Sequence, residues 1–442
     1  LDEVLISRSL FGTTMGFHII FATLGVGLPL MILTAEIIYQ RTNDHDYAIM
    51  AKRWTKTFAI LLGVAIPSGT IAGVQLSLLW PGFMEIVGKV IALPFQIEIF
   101  AFFLEALFMS IYVYAADRLS PWMRIISLFF VALGAVASAI LITNIHAWEG
   151  TPTGFRLVNG EVVDVDPWAA FFNPSFFVTA GHVTVSAYMT GAFVVASVAA
   201  YKMLKEKKDT KVYIFHRKAL MLGLIIGGIF SVLTAVNGHE SAQYLHEYQP
   251  EKLAAAEGLF ETQSYAPLAI GGFTDRESRE VKYGIEIPWA LSFLAGDRFD
   301  EVVVGLNDFP EEYWPPLFVH TLFNAMVGIG FSLLFLSIIG FYWRHIRKKQ
   351  FPKWLMWAFV SAGPLSMLGI EFGWIFACTG RQPWTIYRIQ LTKDAATGAD
   401  AIGVIFFLFI GLYILLAIAT VLVLHFYFKR HPLEKEKIGT IQ

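Results

Sequence analysis

Apolar residues run along this chain in long blocks separated by short polar turns. About 20 apolar residues cross the hydrocarbon core of a bilayer as a helix, and nine such stretches stand out. They are Phe11 to Ile38, Phe58 to Trp80, Val90 to Ala115, Ile125 to Ile145, Ser175 to Leu204, Leu220 to Val236, Pro315 to Tyr342, Leu355 to Cys378 and Ile402 to Phe428. The first run is too long for the core of a secretory signal and lacks a small-residue cleavage site, so it is expected to remain as a span. One connection is large, Asn237 to Trp314, and its composition turns polar and acidic. Within it Pro250 to Glu261 reads as a helix and the Pro, Gly and Asp-rich remainder as irregular chain. A loop of this length is uncommon unless it is functional. The pattern predicts an all-α polytopic membrane protein in three parts: residues 1–236 with six spans, the loop 237–314, and residues 315–442 with three more.

Composition agrees and excludes other classes. Of 442 residues, 56% are hydrophobic and only 15% charged, against about 25% charged in soluble domains. The net charge is −2 and there is one cysteine, Cys378. An ordinary cytosolic enzyme, a disordered chain, a nucleic-acid partner and a disulfide scaffold are all excluded. About two thirds of the 33 Lys and Arg residues fall in the odd-numbered turns and the C-terminal tail. By the positive-inside bias, the N-terminus and the long loop are expected outside and the C-terminus in the cytoplasm.

An ionisable side chain inside a span marks function by default, because an unpaired one costs several kcal/mol there. The spans hold His18, Glu98, Glu105, His182 and Glu371. With the orientation above, His18, Glu98, His182 and Glu371 fall in the outer half and Glu105 near the midplane. Glu98 and Glu105 are two helical turns apart and point to one face, which suits a proton path or a pair of packing carboxylates. The small residues around His18, with Gly25 two turns on, suit close helix packing or the approach of a porphyrin beside a proximal His. Met326 lies at about the depth of His182, and a His/Met pair is the axial set of a six-coordinate haem. No Cys-x-x-Cys-His occurs, so a c-type attachment is excluded. A secondary transporter would also carry intramembrane Glu and His, but it should show internal repeats and broken helices, and none is evident.

The run Glu371-Phe372-Gly373-Trp374 followed by Gly380-Arg381-Gln382-Pro383-Trp384 resembles the signature of the haem-bearing subunit I of cytochrome bd-type quinol oxidases. So do Arg8 to Pro29 around His18, Gln249 to Glu257 continuing to Glu261-Thr262-Gln263 in the loop, and Ile285-Glu286-Ile287-Pro288-Trp289. The resemblance covers the whole chain. It implies a bacterial or archaeal cell-membrane enzyme that passes electrons from menaquinol or ubiquinol to O2, making water and a proton motive force without a pump. The implied cofactors are a low-spin haem b held by His182 and Met326, and two high-spin haems held by His18 and Glu371. One of these is haem b and the other haem d, or a third haem b as in cyanide-insensitive relatives. Glu98 and Glu105 match carboxylates of the proton path, and Lys252 and Glu257 match loop residues of quinol oxidation. Five apart on a helix, these two splay by about 140°, so a bent helix or a site between them is expected. Arg381 is expected to compensate a buried propionate or carboxylate beside Glu371 and Trp374. The implied partners are a multi-span subunit II and a small single-span subunit. The chain departs from the family pattern at Cys378, where an acid is common, at Asn324, where Arg is common, and in Gly73 to Gly88 and Asn144 to Gly154.

Overall fold

The computed structural model describes residues 3–398 and 402–439. The helices are α1 (Glu3–Thr42), α2 (His45–Leu79), α3 (Pro81–Val90), α4 (Leu93–Ala115), α5 (Pro121–Gly150), α6 (Pro167–Phe171), α7 (Phe176–Lys205), α8 (Lys211–Tyr248), α9 (Pro250–Glu257), α10 (Ala290–Gly296), α11 (Val319–Phe341), α12 (Lys353–Thr379), α13 (Thr392–Ala395) and α14 (Ile402–Arg430). Among the described residues nine are long and apolar enough to cross a membrane: α1, α2, α4, α5, α7, α8, α11, α12 and α14. They correspond in order to the nine predicted spans.

Helices α2, α5 and α8 begin before their apolar blocks, at polar caps that satisfy backbone N–H groups a helix start leaves open. The Asp44 carboxylate accepts from the Asp46 N–H before α2, and the Thr210 hydroxyl accepts from the Tyr213 N–H before α8. The largest extension is α8, which continues to Tyr248, so Asn237 to Tyr248, read as loop, are helical. The opposite correction applies to the loop helix. It ends at Glu257 and not at Glu261, because Gly258 takes the left-handed conformation (φ 65°) that closes a helix.

The interior is built on close backbone crossings, as in membrane bundles. A Cβ on Gly27 of α1 would lie 2.4 Å from the Ala187 carbonyl oxygen of α7, and one on Gly191 would lie 2.7 Å from the Gly27 carbonyl carbon. Gly223 brings α8 equally close to α7, and Gly134 brings α5 onto α4 at Glu105. Helices α8 and α12 each pack against both α7 and α11, which puts α7 and α11 on a diagonal. Helix α1 touches α2, α5, α7, α12 and α14.

The long loop has more order than its composition suggests. It folds over α9 as two nested antiparallel hairpins, and a small one, β1 (Arg156–Val158) with β2 (Glu161–Val163), precedes α6. In the nest, β3 (Leu268–Ile270) pairs with β6 (Ile285–Ile287), and β4 (Phe273–Asp275) pairs with β5 (Glu280–Lys282) inside it. A fourth hairpin, β7 (Trp384–Ile386) with β8 (Gln390–Leu391), follows α12. Under this cover every residue from Glu251 to Glu257 is buried.

Candidate haem and quinol site

Four candidate iron ligands lie in one layer of the bundle. His18 and His182 each stand nine residues before the Gly27–Gly191 crossing, on two helices that enter from the same end. Glu371 joins this layer from α12, since its Oε2 is 3.3 Å from where a Cβ on Gly16 would sit. Met326 reaches it from α11, its Sδ 3.0 Å from a Cβ on Gly373.

The donor atoms are set up as ligands are. His182 Nδ1 bonds Asn237 Oδ1 at 2.7 Å, and the Asn237 amide donates to the Val178 carbonyl at 3.3 Å. Since that amide oxygen can only accept, Nδ1 carries the proton and Nε2 keeps its lone pair. His18 Nδ1 bonds the Ser68 hydroxyl at 2.9 Å, and that hydroxyl donates to the Val64 carbonyl at 2.8 Å, so Nε2 is again left for another partner. Orienting a ligand His through its second nitrogen is the common arrangement in metal sites. Glu371 Oε1 has no hydrogen-bond partner. Each candidate leans on a glycine: Gly69 against the His18 ring, Gly16 against Glu371, Gly373 against Met326, and Gly181 against the Asn237 that orients His182. The donor chemistry, the unpartnered carboxylate oxygen and these glycine cradles fit haem. Gly16 and His18 are two residues apart, about 200° around α1, so Glu371 and His18 approach α1 from different sides.

The remaining candidates divide between two places. Glu98 accepts from the Ser138 hydroxyl of α5, and Glu105 is buried against Gly134 four residues earlier on α5, so both carboxylates do share a face. Seven residues further along that face, the Tyr112 hydroxyl donates to the fully buried Glu36 at 3.1 Å. Gln40 at 2.7 Å and Arg124 at 3.2 Å complete that cluster.

Lys252 and Glu257 stand on α9, which is one unbroken helix, so the bend that their spacing suggested is absent. Lys252 Nζ donates to the Ala377 carbonyl at 2.9 Å and lies 5.1 Å from the Phe376 ring centre. Burial, with Arg381 adding to it, lowers the Lys252 ammonium to about 7. Burial alone raises the Glu257 carboxyl to about 8, and its Oε1 is unpartnered.

Arg381 is buried just beyond the end of α12, and its carboxylate partner is Glu149 of α5. It also lies 3.3 Å from His146 Nδ1, and the His146 ring meets Trp374 edge-on at 5.5 Å. Cys378 is exposed and lies among the charges of Arg381, Glu149 and Lys252. His146, Glu149 and Asn237 are among the residues that sequence reasoning passed over. The first two form an i, i+3 pair of titratable groups at the end of an apolar run, and that spacing was the available signal.

Residues 6–432 match the family of cytochrome bd terminal oxidase subunit I. The chain belongs to that family. It is 69% identical over 437 residues to the "Putative cytochrome bd menaquinol oxidase subunit I" of Bacillus subtilis (strain 168), covering 99% of each chain. It is 31% identical to the "Cytochrome bd ubiquinol oxidase subunit 1" of the same organism, covering 92% of this chain and 89% of that one. In structure it is similar to the bd oxidase from Geobacillus thermodenitrificans, with a TM-score of 0.91, 46% identity, and 98% and 99% of the two chains covered. This subunit I is therefore a multi-span protein of a bacterial membrane and part of a quinol oxidase. Haem cofactors and a subunit II belong to the family.

Proposed function

We propose that this subunit I oxidises quinol beneath its long loop and carries the centre where O2 is reduced to water. The substrate is read as menaquinol, after the name of the relative at 69% identity; ubiquinol is the alternative. The observation that carries the reading is α9, where Lys252 and Glu257 are buried under the loop with their proton affinities drawn toward neutrality. A quinol that loses two electrons must also lose two protons. The neutral Lys252 amine and the Glu257 carboxylate are acceptors matched to that task near physiological pH. They stand on different sides of one helix, so two protons can leave by separate routes.

Haems held by His182 with Met326, by His18 and by Glu371 would supply one-electron transfer and an open iron position for oxygen. Asn237 and Ser68 hold the two imidazoles in the tautomer that leaves Nε2 free. Arg381 neutralises Glu149 and, with Trp374 and His146, closes the end of α12 next to that layer. Glu105 and then Glu98 are the stations that pass protons inward from the lysine-rich end, read as cytoplasmic, while protons from quinol leave at the loop end. Consumption and release on opposite sides generate a proton motive force without a dedicated pump. The exposed apolar faces of α11 and α14, such as Phe335, Phe407 and Leu408, suit a multi-span subunit II and a small single-span subunit.

One absorption spectrum of the purified oxidase tests the cofactor assignment. Mixed low- and high-spin bands that shift with CO are expected, and His182→Leu should remove the low-spin band alone. A band toward the red marks haem d, and CO-reactive bands without it mark a third haem b. A protein purified from its native membrane with no haem bands would sink the proposal.

A further inference from the structure

His320, the second residue of α11, is completely buried. Its Nδ1 bonds the Ala256 carbonyl at 2.7 Å and its Nε2 bonds the Gly271 carbonyl at 2.9 Å. A carbonyl oxygen can only accept, so the ring joins these two carbonyls through its N–H, and the Asn324 amide lies 3.4 Å from each ring nitrogen. Ala256 lies in the last turn of α9.

One turn further along α11, Asn324 Oδ1 accepts the Gly271 N–H at 2.8 Å, and the Asn324 amide donates back to the His320 carbonyl at 3.0 Å. Both backbone groups of Gly271, between β3 and β4, are thus taken by two side chains of α11. The Thr274 hydroxyl adds a bond to the Leu317 carbonyl at 2.7 Å. Glu257 lies between Ala256, held by His320, and Gly258, where a Cβ would come 3.4 Å from the same ring. Met326 follows Asn324 by two residues on the same helix.

We infer that His320 and Asn324 are positioning residues that fasten the loop and Glu257 to the helix that carries Met326. This rests on the reading that the loop receives quinol. It also accounts for Asn324 where the family often has Arg, because an Arg side chain has no acceptor for the Gly271 N–H.

The test uses the complete purified oxidase with His320→Gln, His320→Leu and Asn324→Ala. The KM for quinol should rise about fivefold in Asn324→Ala, the effect of one lost hydrogen bond, and further in the order Gln then Leu at position 320. kcat should stay within about twofold of wild type, and the low-spin haem band should be kept. An unchanged KM in all three variants, or kcat falling while KM holds, would overturn the inference. Hydrogen–deuterium exchange supplies a readout independent of activity: the amides of residues 256–272 should exchange faster in His320→Gln and Asn324→Ala. Equal protection would refute the clamp even in an active enzyme. A wild-type oxidase that oxidises no quinol but shows the exchange difference would instead defeat only the quinol reading.

Discussion

Glu257 is buried with one unpartnered carboxylate oxygen, and burial holds it protonated up to about pH 8. If its ionised form takes a proton from quinol, the base is scarce at pH 6.5 and abundant at pH 9. Lys252, neutral above about pH 7, acts in the same direction. kcat/KM for quinol is therefore expected to rise with pH across this window. Glu257→Gln should abolish the inflection near pH 8 and lower kcat/KM by about 10²-fold, the usual worth of a positioned general base. A profile unchanged in that variant would remove Glu257 from proton transfer. At this scale the sequence is readable where a titratable residue interrupts an apolar run, as His182, Glu105 and Glu371 do. It is opaque where the partner lies far along the chain. Nothing near Arg381 announces Glu149, and Asn237, placed by composition at the start of a loop, is the residue that orients His182.

Among elements, the close crossings decide what the bundle can tolerate. At Gly27 and Gly191 the obstacle to a side chain is the backbone of the other helix, so it cannot be relieved by a change of rotamer. Overpacking in a dense interior costs about 1–3 kcal/mol even where side chains can shift. Gly191→Leu should therefore separate α1 from α7 and strip haem from the protein, read as haem absorbance per unit of polypeptide. Gly411→Leu on α14, with open space around the site, should retain its haem. The nine long helices were legible because block length alone specifies a span. The nested hairpins were not, since their strands are only three residues long, too short for a period-2 pattern to show. The end of α8 was set by Gln249 before Pro250 and that of α9 by Gly258, and no hydrophobic count sees either.

For the molecule as a whole, the two ends differ in charge and in cover. One carries most of the lysine and arginine; the other carries the loop with its hidden acceptors. Reconstituted in sealed liposomes with quinol and O2, the oxidase is expected to build a membrane potential, followed with a voltage-sensitive dye. Glu105→Gln should slow oxygen uptake and potential together. Full quinol oxidation with no potential would mean that both sets of protons use the same side.

The equal count of nine residues from the Gly27–Gly191 crossing to His18 and to His182 makes α1 and α7 the legs of a pair of dividers. The span between the two imidazoles is then set by the angle at one pivot and by the stiffness of two short helical arms. If His18 and His182 hold haems as proposed, the pivot becomes the adjustment screw of the electron exchange rate between them, because tunnelling falls off exponentially with distance. A change of packing below it, toward the lysine-rich end, would leave that rate unaltered. A change at the pivot too small to expel haem would, under the proposed ligation, alter the rate with both imidazoles still in their helices.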